Sequence, residues 1–171
     1  MSNKYLFCIE SIQKSLNNVI NILGKTQTWA AESGKTDQEI LAAKLAPDML
    51  PFVNQITILC DNAKGLAARL SGTEIPVHAD TQTTIAELIE RVKMTHEFIN
   101  TIGAQEYTDA HQKQIVLPYI PGKYQTAEDF ARDFAMPNFY FHTVTAYAIL
   151  RNLGMPLSKM DYIGSLILND L

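Results

Sequence analysis

The sequence predicts an all-α four-helix bundle, on three observations. Four long segments carry apolar residues at steps of three and four, the spacing of one helix face. Thr36 and Thr84 each stand three residues before a glutamate, Glu39 and Glu87, the pattern of a capping box. Glycine and proline breaks separate the segments, among them Gly34, Pro76, Gly103 and the Gly154 and Pro156 pair.

The first segment places Leu6, Ile9, Gln13, Leu16, Ile20 and Leu23 on one face, widened by Cys8, Ile12, Val19 and Ile22. Such a face turns to a core. Gln13 is the polar member of the stripe; it either bonds a neighbouring helix or faces an internal polar cavity. After Gly34 the Thr36 capping box starts a short helix.

The second long helix is the most regular: Met49, Phe52, Ile56, Leu59, Ala63, Leu66 and Leu70. Asp48, Gln55 and Asn62 recur every seven residues one position beside this stripe. They form either a solvated border or, for Asp48 and Gln55, part of a pocket between helices. "SGTEIPVHADT" ends the helix, since Pro76 opposes continuation, and puts His78 in a loop. There it is either solvated or a ligand supplied from the bundle end.

The third helix follows Thr84, with the stripe Ile85, Leu88, Val92, Thr95 and Ile99; His96 falls at its edge. Beyond Gly103, "KQIVLPYIPGKYQTA" sets two short β-prone runs around Pro121 and Gly122, residues suited to a type II turn. A short hairpin in the connection between the third and fourth long helices is expected, its first strand limited by Pro118. The fourth helix starts near Ala127 and meets Pro137, where a kink or restart near Asn138 is expected. Beyond that point Asn138, His142, Thr145 and Ile149 share a face, and Gly154 with Pro156 stops the helix. The tail "KMDYIGSLILNDL" is apolar enough to pack back onto the body.

At 171 residues the chain fits one domain, residues 1–171, large enough to bury a core without staples. A net charge of −4 and the lack of any Lys/Arg run longer than a pair argue against nucleic acid as a partner. No stretch approaches the roughly 18 apolar residues of a membrane span, and Glu10 and Gln13 interrupt any signal-peptide core, so a cytoplasmic setting is expected. The two cysteines, Cys8 and Cys60, lie within or beside apolar stripes and are expected as buried thiols.

The four histidines, His78, His96, His111 and His142, include no pair at helical ligand spacing, and there is no HxxxH, HExxH or CxxC. Spacing alone therefore defines no metal site. His142 remains the histidine of interest, with Asn138 one turn before it and Phe139, Tyr140, Phe141 and Tyr147 around it. Those aromatics suit either a core or the wall of a ligand pocket.

The run "HTVTAYAILRNLG" resembles the last helix of the DinB/YfiT-like superfamily, four-helix bundles many of which hold a divalent metal through three histidines. "LAPDMLPFVNQI", "PNFYFHTVTAYAILRNLG" and "KMDYIG" look like an uncharacterised domain-of-unknown-function family within it. In that pattern the last helix reads HxxxH. His142 matches its second histidine and Asn138 stands at the first. The third ligand comes from the second long helix, where Asp48 and Gln55 are the nearest polar residues. The resemblance thus implies a divalent metal such as Zn or Ni on His142, while an asparagine oxygen in place of imidazole weakens such a site.

Two functions follow. One is a bundle with a polar interior site for a small ligand, formed by His142, Asn138, Tyr140, Asp48 and Gln55. The other is a divergent metal-dependent transferase or hydrolase using His142 as ligand or base. A homodimer built on an outer helix face is expected for either.

Overall fold

The computed structural model describes residues 4–170. Four long helices make up the body: α1 (Lys4–Ser33), α3 (Phe52–Ser71), α4 (Ile85–Asn100) and α6 (Met136–Asn152), with the short helix α2 (Asp37–Ala42) between α1 and α3. The helix α3 packs against both α4 and α6, and α1 packs against α4. The all-α bundle with a small hairpin is therefore the observed architecture.

The apolar stripes explain this packing. Ile85, Leu88, Val92, Thr95 and Ile99 of α4 are all fully buried, as are Ile56, Leu59, Ala63, Leu66 and Leu70 of α3. Each buried aliphatic side chain contributes roughly 1.5–3 kcal/mol relative to exposure, and such burial is the dominant favourable contribution set against chain ordering. Thr36 with Glu39 and Thr84 with Glu87 form complete capping boxes at α2 and α4. Gln13 is half-buried and its Nε2 donates to Asn100 Oδ1 of α4 at 2.5 Å, so it bonds a neighbouring helix rather than facing a cavity.

Several expectations need correcting. The helix α3 starts at Phe52, capped by Pro51, and not near Met49. A residue before proline is steered away from helical backbone, so Leu50 cannot carry the helix through Pro51. Asp48 consequently lies exposed in a turn outside the helix. His96 is half-buried, with Nε2 3.1 Å from Asn17 Nδ2 and Nδ1 3.1 Å from Asn100 Nδ2, so it is more than a surface-edge residue. Cys60 is fully buried, whereas Cys8 is only partly so.

The connection after α4 runs through two 3₁₀ turns to β1 (Gln114–Ile115) and β2 (Gln125–Thr126), paired antiparallel with Gln114 opposite Thr126. Gly122 has φ of +75°, as the third residue of a type II turn requires. The fourth helical arm begins with α5 (Ala127–Asp129), passes through a π-helical turn over Phe130–Ala135, and continues as α6. Pro137 has no N–H to return to the carbonyl one turn earlier, and the chain meets this with a widened turn before it instead of a break. The tail forms α7 (Lys159–Ile163) against α1, held by a Lys25–Asp161 ion pair and by Asn18 Nδ2 donating to Tyr162 O at 2.9 Å. Past Gly164, Leu166, Ile167 and Leu168 are exposed, so the packing of the tail stops there; Leu171 lies outside the described residues. Among the described residues no helix is long and apolar enough to cross a membrane.

Candidate functional site

The polar residues of interest meet along the seam between α3 and α6. His142 is 8% exposed and its Nδ1 lies 2.7 Å from Gln55 Oε1. Gln55 is itself buried, and its Nε2 donates to the Leu50 carbonyl at 2.9 Å. That second bond fixes which end of the amide faces the imidazole. His142 Nδ1 therefore carries the proton and Gln55 Oε1 accepts it. Burial holds the His142 pKa below the usual histidine value, which favours the neutral ring. Its Nε2 has no hydrogen-bond partner among the described residues.

One turn towards the N-terminus of α6, Asn138 Nδ2 donates to Asn62 Oδ1 of α3 at 2.9 Å, and Asn62 Nδ2 donates to the Ile58 carbonyl at 2.9 Å. The amide pair is again oriented from behind. Asn138 Oδ1 keeps free acceptor capacity among the described residues. The heptad row on α3 is thus Gln55 and Asn62, extended by Arg69, with Asp48 left out by the late helix start. Tyr140 is half-buried and packs edge-on against Phe139, with ring centroids 5.3 Å apart; the hydrogen bonds of the Asn62–Asn138 pair do not involve it.

The Asn62 and Asn138 pair opens on a cleft of about 230 Å³ that Arg69, Tyr119, Phe130 and Phe134 also line. Periodicity did not single out these four. Arg69 could have been found by carrying the seven-residue row one step further. The aromatics come from the connection and the π turn, where no helical period runs. Arg69 lies across Gly65: a Cβ there would be 2.5 Å from Arg69 Nη1. Its guanidinium carbon is 5.7 Å from the Phe130 ring centroid. Burial lowers its pKa, an effect opposed by Tyr119, yet a guanidinium remains charged.

Asp61, at the cleft margin, is already matched. Its Oδ1 receives Lys64 Nζ and Arg91 Nη2, each at 2.9 Å, and Arg91 Nη2 also reaches Asp80 Oδ1 at 3.1 Å. Two acids and two bases balance in this group. Arg69, in contrast, has no hydrogen bond or ion pair among the described residues, so it sets the sign of the cleft.

A three-histidine metal centre does not fit this donor set. His142 offers one imidazole nitrogen, Gln55 Oε1 is taken by the other, Asn138 supplies a weak amide oxygen, and Asp48 stands outside the helix. Among the described residues no group of three or more His, Cys, Asp or Glu side chains is arranged to hold an ion.

The fold has a solved counterpart. The crystal structure of a DinB family member protein from Shewanella denitrificans superposes with a TM-score of 0.91 at 34% sequence identity, covering 98% of this chain and 95% of that one. No curated protein matches this chain. The family model described as domain of unknown function DUF1993 matches residues 5–163. With the match spanning nearly every helix and the solved relative sharing a third of its residues, the chain belongs to the DUF1993 family of DinB-like proteins.

Proposed function

We propose that this protein binds a small ligand in the cleft at the α3–α6 seam, and that His142 supports the seam instead of holding a metal. The oriented Asn62–Asn138 pair carries this reading: two side chains from facing helices are locked by internal bonds and line an open, largely aromatic space. Ligand sites combine apolar walls with a few fixed polar groups in this way. At about 230 Å³ the cleft is smaller than the roughly 300–1,000 Å³ typical of drug-sized ligands, so the occupant is small.

Backbone NMR during a titration with a small-fragment library tests it. Shifts should cluster at Asn62 and Asn138, and Asn138→Leu should remove them. Binding confined to other regions would sink the reading.

A second reading, the divergent divalent-metal-dependent transferase or hydrolase, rests on the open Nε2 of His142. Gln55 orients the ring from the other nitrogen as an outer-shell partner does in metal sites. A cytoplasmic homodimer goes with either reading, the two free thiols suiting a reducing compartment. Light scattering at the mass of one 19.1 kDa chain would remove the dimer.

A further inference from the structure

Among the described residues, the cleft combines Arg69, a cation without a hydrogen bond or ion pair, with three aromatic rings. Phe130 and Phe134 stack with centroids 5.9 Å apart, and Tyr119 leans on Phe134 at 6.3 Å. Arg69 lies over the Phe130 face, and Gly65 leaves the space its guanidinium occupies. A guanidinium presents a planar fork of donors that matches a carboxylate. Half-buried, it gives up part of its hydration, and among the described residues it has no side-chain or backbone acceptor in return. The neighbouring carboxylate that would satisfy it, Asp61, is engaged by Lys64 and Arg91.

We propose that the ligand of this cleft is a small aromatic carboxylate, its carboxylate held by Arg69 and its ring placed against Phe130, Phe134 and Tyr119. This rests on the reading of the cleft as a ligand site. Phosphate-rich or polyanionic ligands fit less well, because a single guanidinium faces them and the space is small. Asn138 Oδ1 adds an acceptor for a hydroxyl or amine elsewhere on the ligand.

The test uses benzoate, benzamide and acetate as probes, each titrated into the full-length protein with backbone and arginine Nε–H NMR resonances followed. Benzoate should saturate, shift the Arg69 Nε–H signal and bind at least about tenfold tighter than either benzamide or acetate, a difference of about 1.4 kcal/mol. Arg69→Gln should bring benzoate down to the benzamide level, and Arg69→Lys should recover only part of the difference.

Gly65→Ala separates folding from binding. Alanine favours the helix, but its Cβ displaces the guanidinium, so benzoate binding should fall in a protein that stays folded. Equal affinity for benzoate and benzamide at Asn62 and Asn138 would overturn the carboxylate assignment while leaving the cleft as a site. Fragments that bind there while benzoate does not would overturn it equally. Absence of any shift at Asn62 and Asn138 with all probes and fragments would remove both.

Discussion

Gln55 accepts from His142: its Oε1 lies 2.7 Å from the imidazole Nδ1, while its own Nε2 is anchored on the Leu50 carbonyl at 2.9 Å. The pair joins α3 to α6 through a buried polar contact whose direction is set by the backbone just before α3. A buried donor deprived of its acceptor costs more than the bond itself contributes.

His142→Ala is therefore predicted to destabilise the protein by roughly 1–3 kcal/mol, and Gln55→Ala by a comparable amount. The double variant should lose less than the sum, with a coupling of about 0.5–3 kcal/mol in urea unfolding. Strict additivity would show that the two side chains do not share a bond. His96→Ala should cost about 0.5–1.5 kcal/mol, because its ring joins Asn17 and Asn100.

Stability should depend on pH in a defined sense. His142 protonates near 6.5 when unfolded and only at lower pH in the fold, owing to burial. Between those values the unfolded chain binds more protons, so stability falls as pH drops below 6.5 and is indifferent to this group above it. His78 is shifted in the same direction by burial and by Lys64 and Arg91, and adds to the slope. Unfolding titrations of His142→Gln should show a shallower loss below pH 6.5; an unchanged slope would place the titration elsewhere.

Metal content discriminates the two functional readings. Protein purified without a histidine tag and dialysed against zinc or nickel should retain well below one equivalent, since one imidazole and amide oxygens make a weak site. Stoichiometric metal, lost in His142→Ala, would favour the transferase or hydrolase.

Thiol labelling checks the packing of α1 and α3. Burial pushes the Cys60 pKa up to about 12 and raises that of half-buried Cys8 by less complete desolvation. An aromatic disulfide reagent at neutral pH should modify Cys8 slowly and Cys60 only after unfolding. Fast reaction of Cys60 in the native protein would contradict its place in the core.

The helices were legible because their burial repeats every three to four residues: Leu88, Val92, Thr95 and Ile99 turn inward as their spacing predicts. His142 and Asn138 were legible for the same reason. Asp48 is solvated, one of the two alternatives its place beside the stripe allowed, but it falls outside the helical row because a heptad pattern ignores Pro51, which resets where the helix begins. Asn62 stood in the polar row from the start, but its partner on α6 is 76 residues away and becomes visible only once the helices pack. Tyr119, Phe130 and Phe134 lie where the chain leaves regular helical spacing, so no period could assign them a common wall.

The π turn over Phe130–Ala135 carries one residue more than an α-helical path of the same rise would need. Removing a single residue there would close the wide turn to ordinary α-helix and leave the segments on either side in nearly their present orientation, because that turn is what absorbs the surplus residue. The same deletion within the regular turns of α6 would instead rotate one side against the other by about 100°, taking Asn138 off Asn62 or His142 off Gln55. The arm should therefore tolerate a one-codon deletion inside Phe130–Ala135 better than one a few residues further on, in α6 itself.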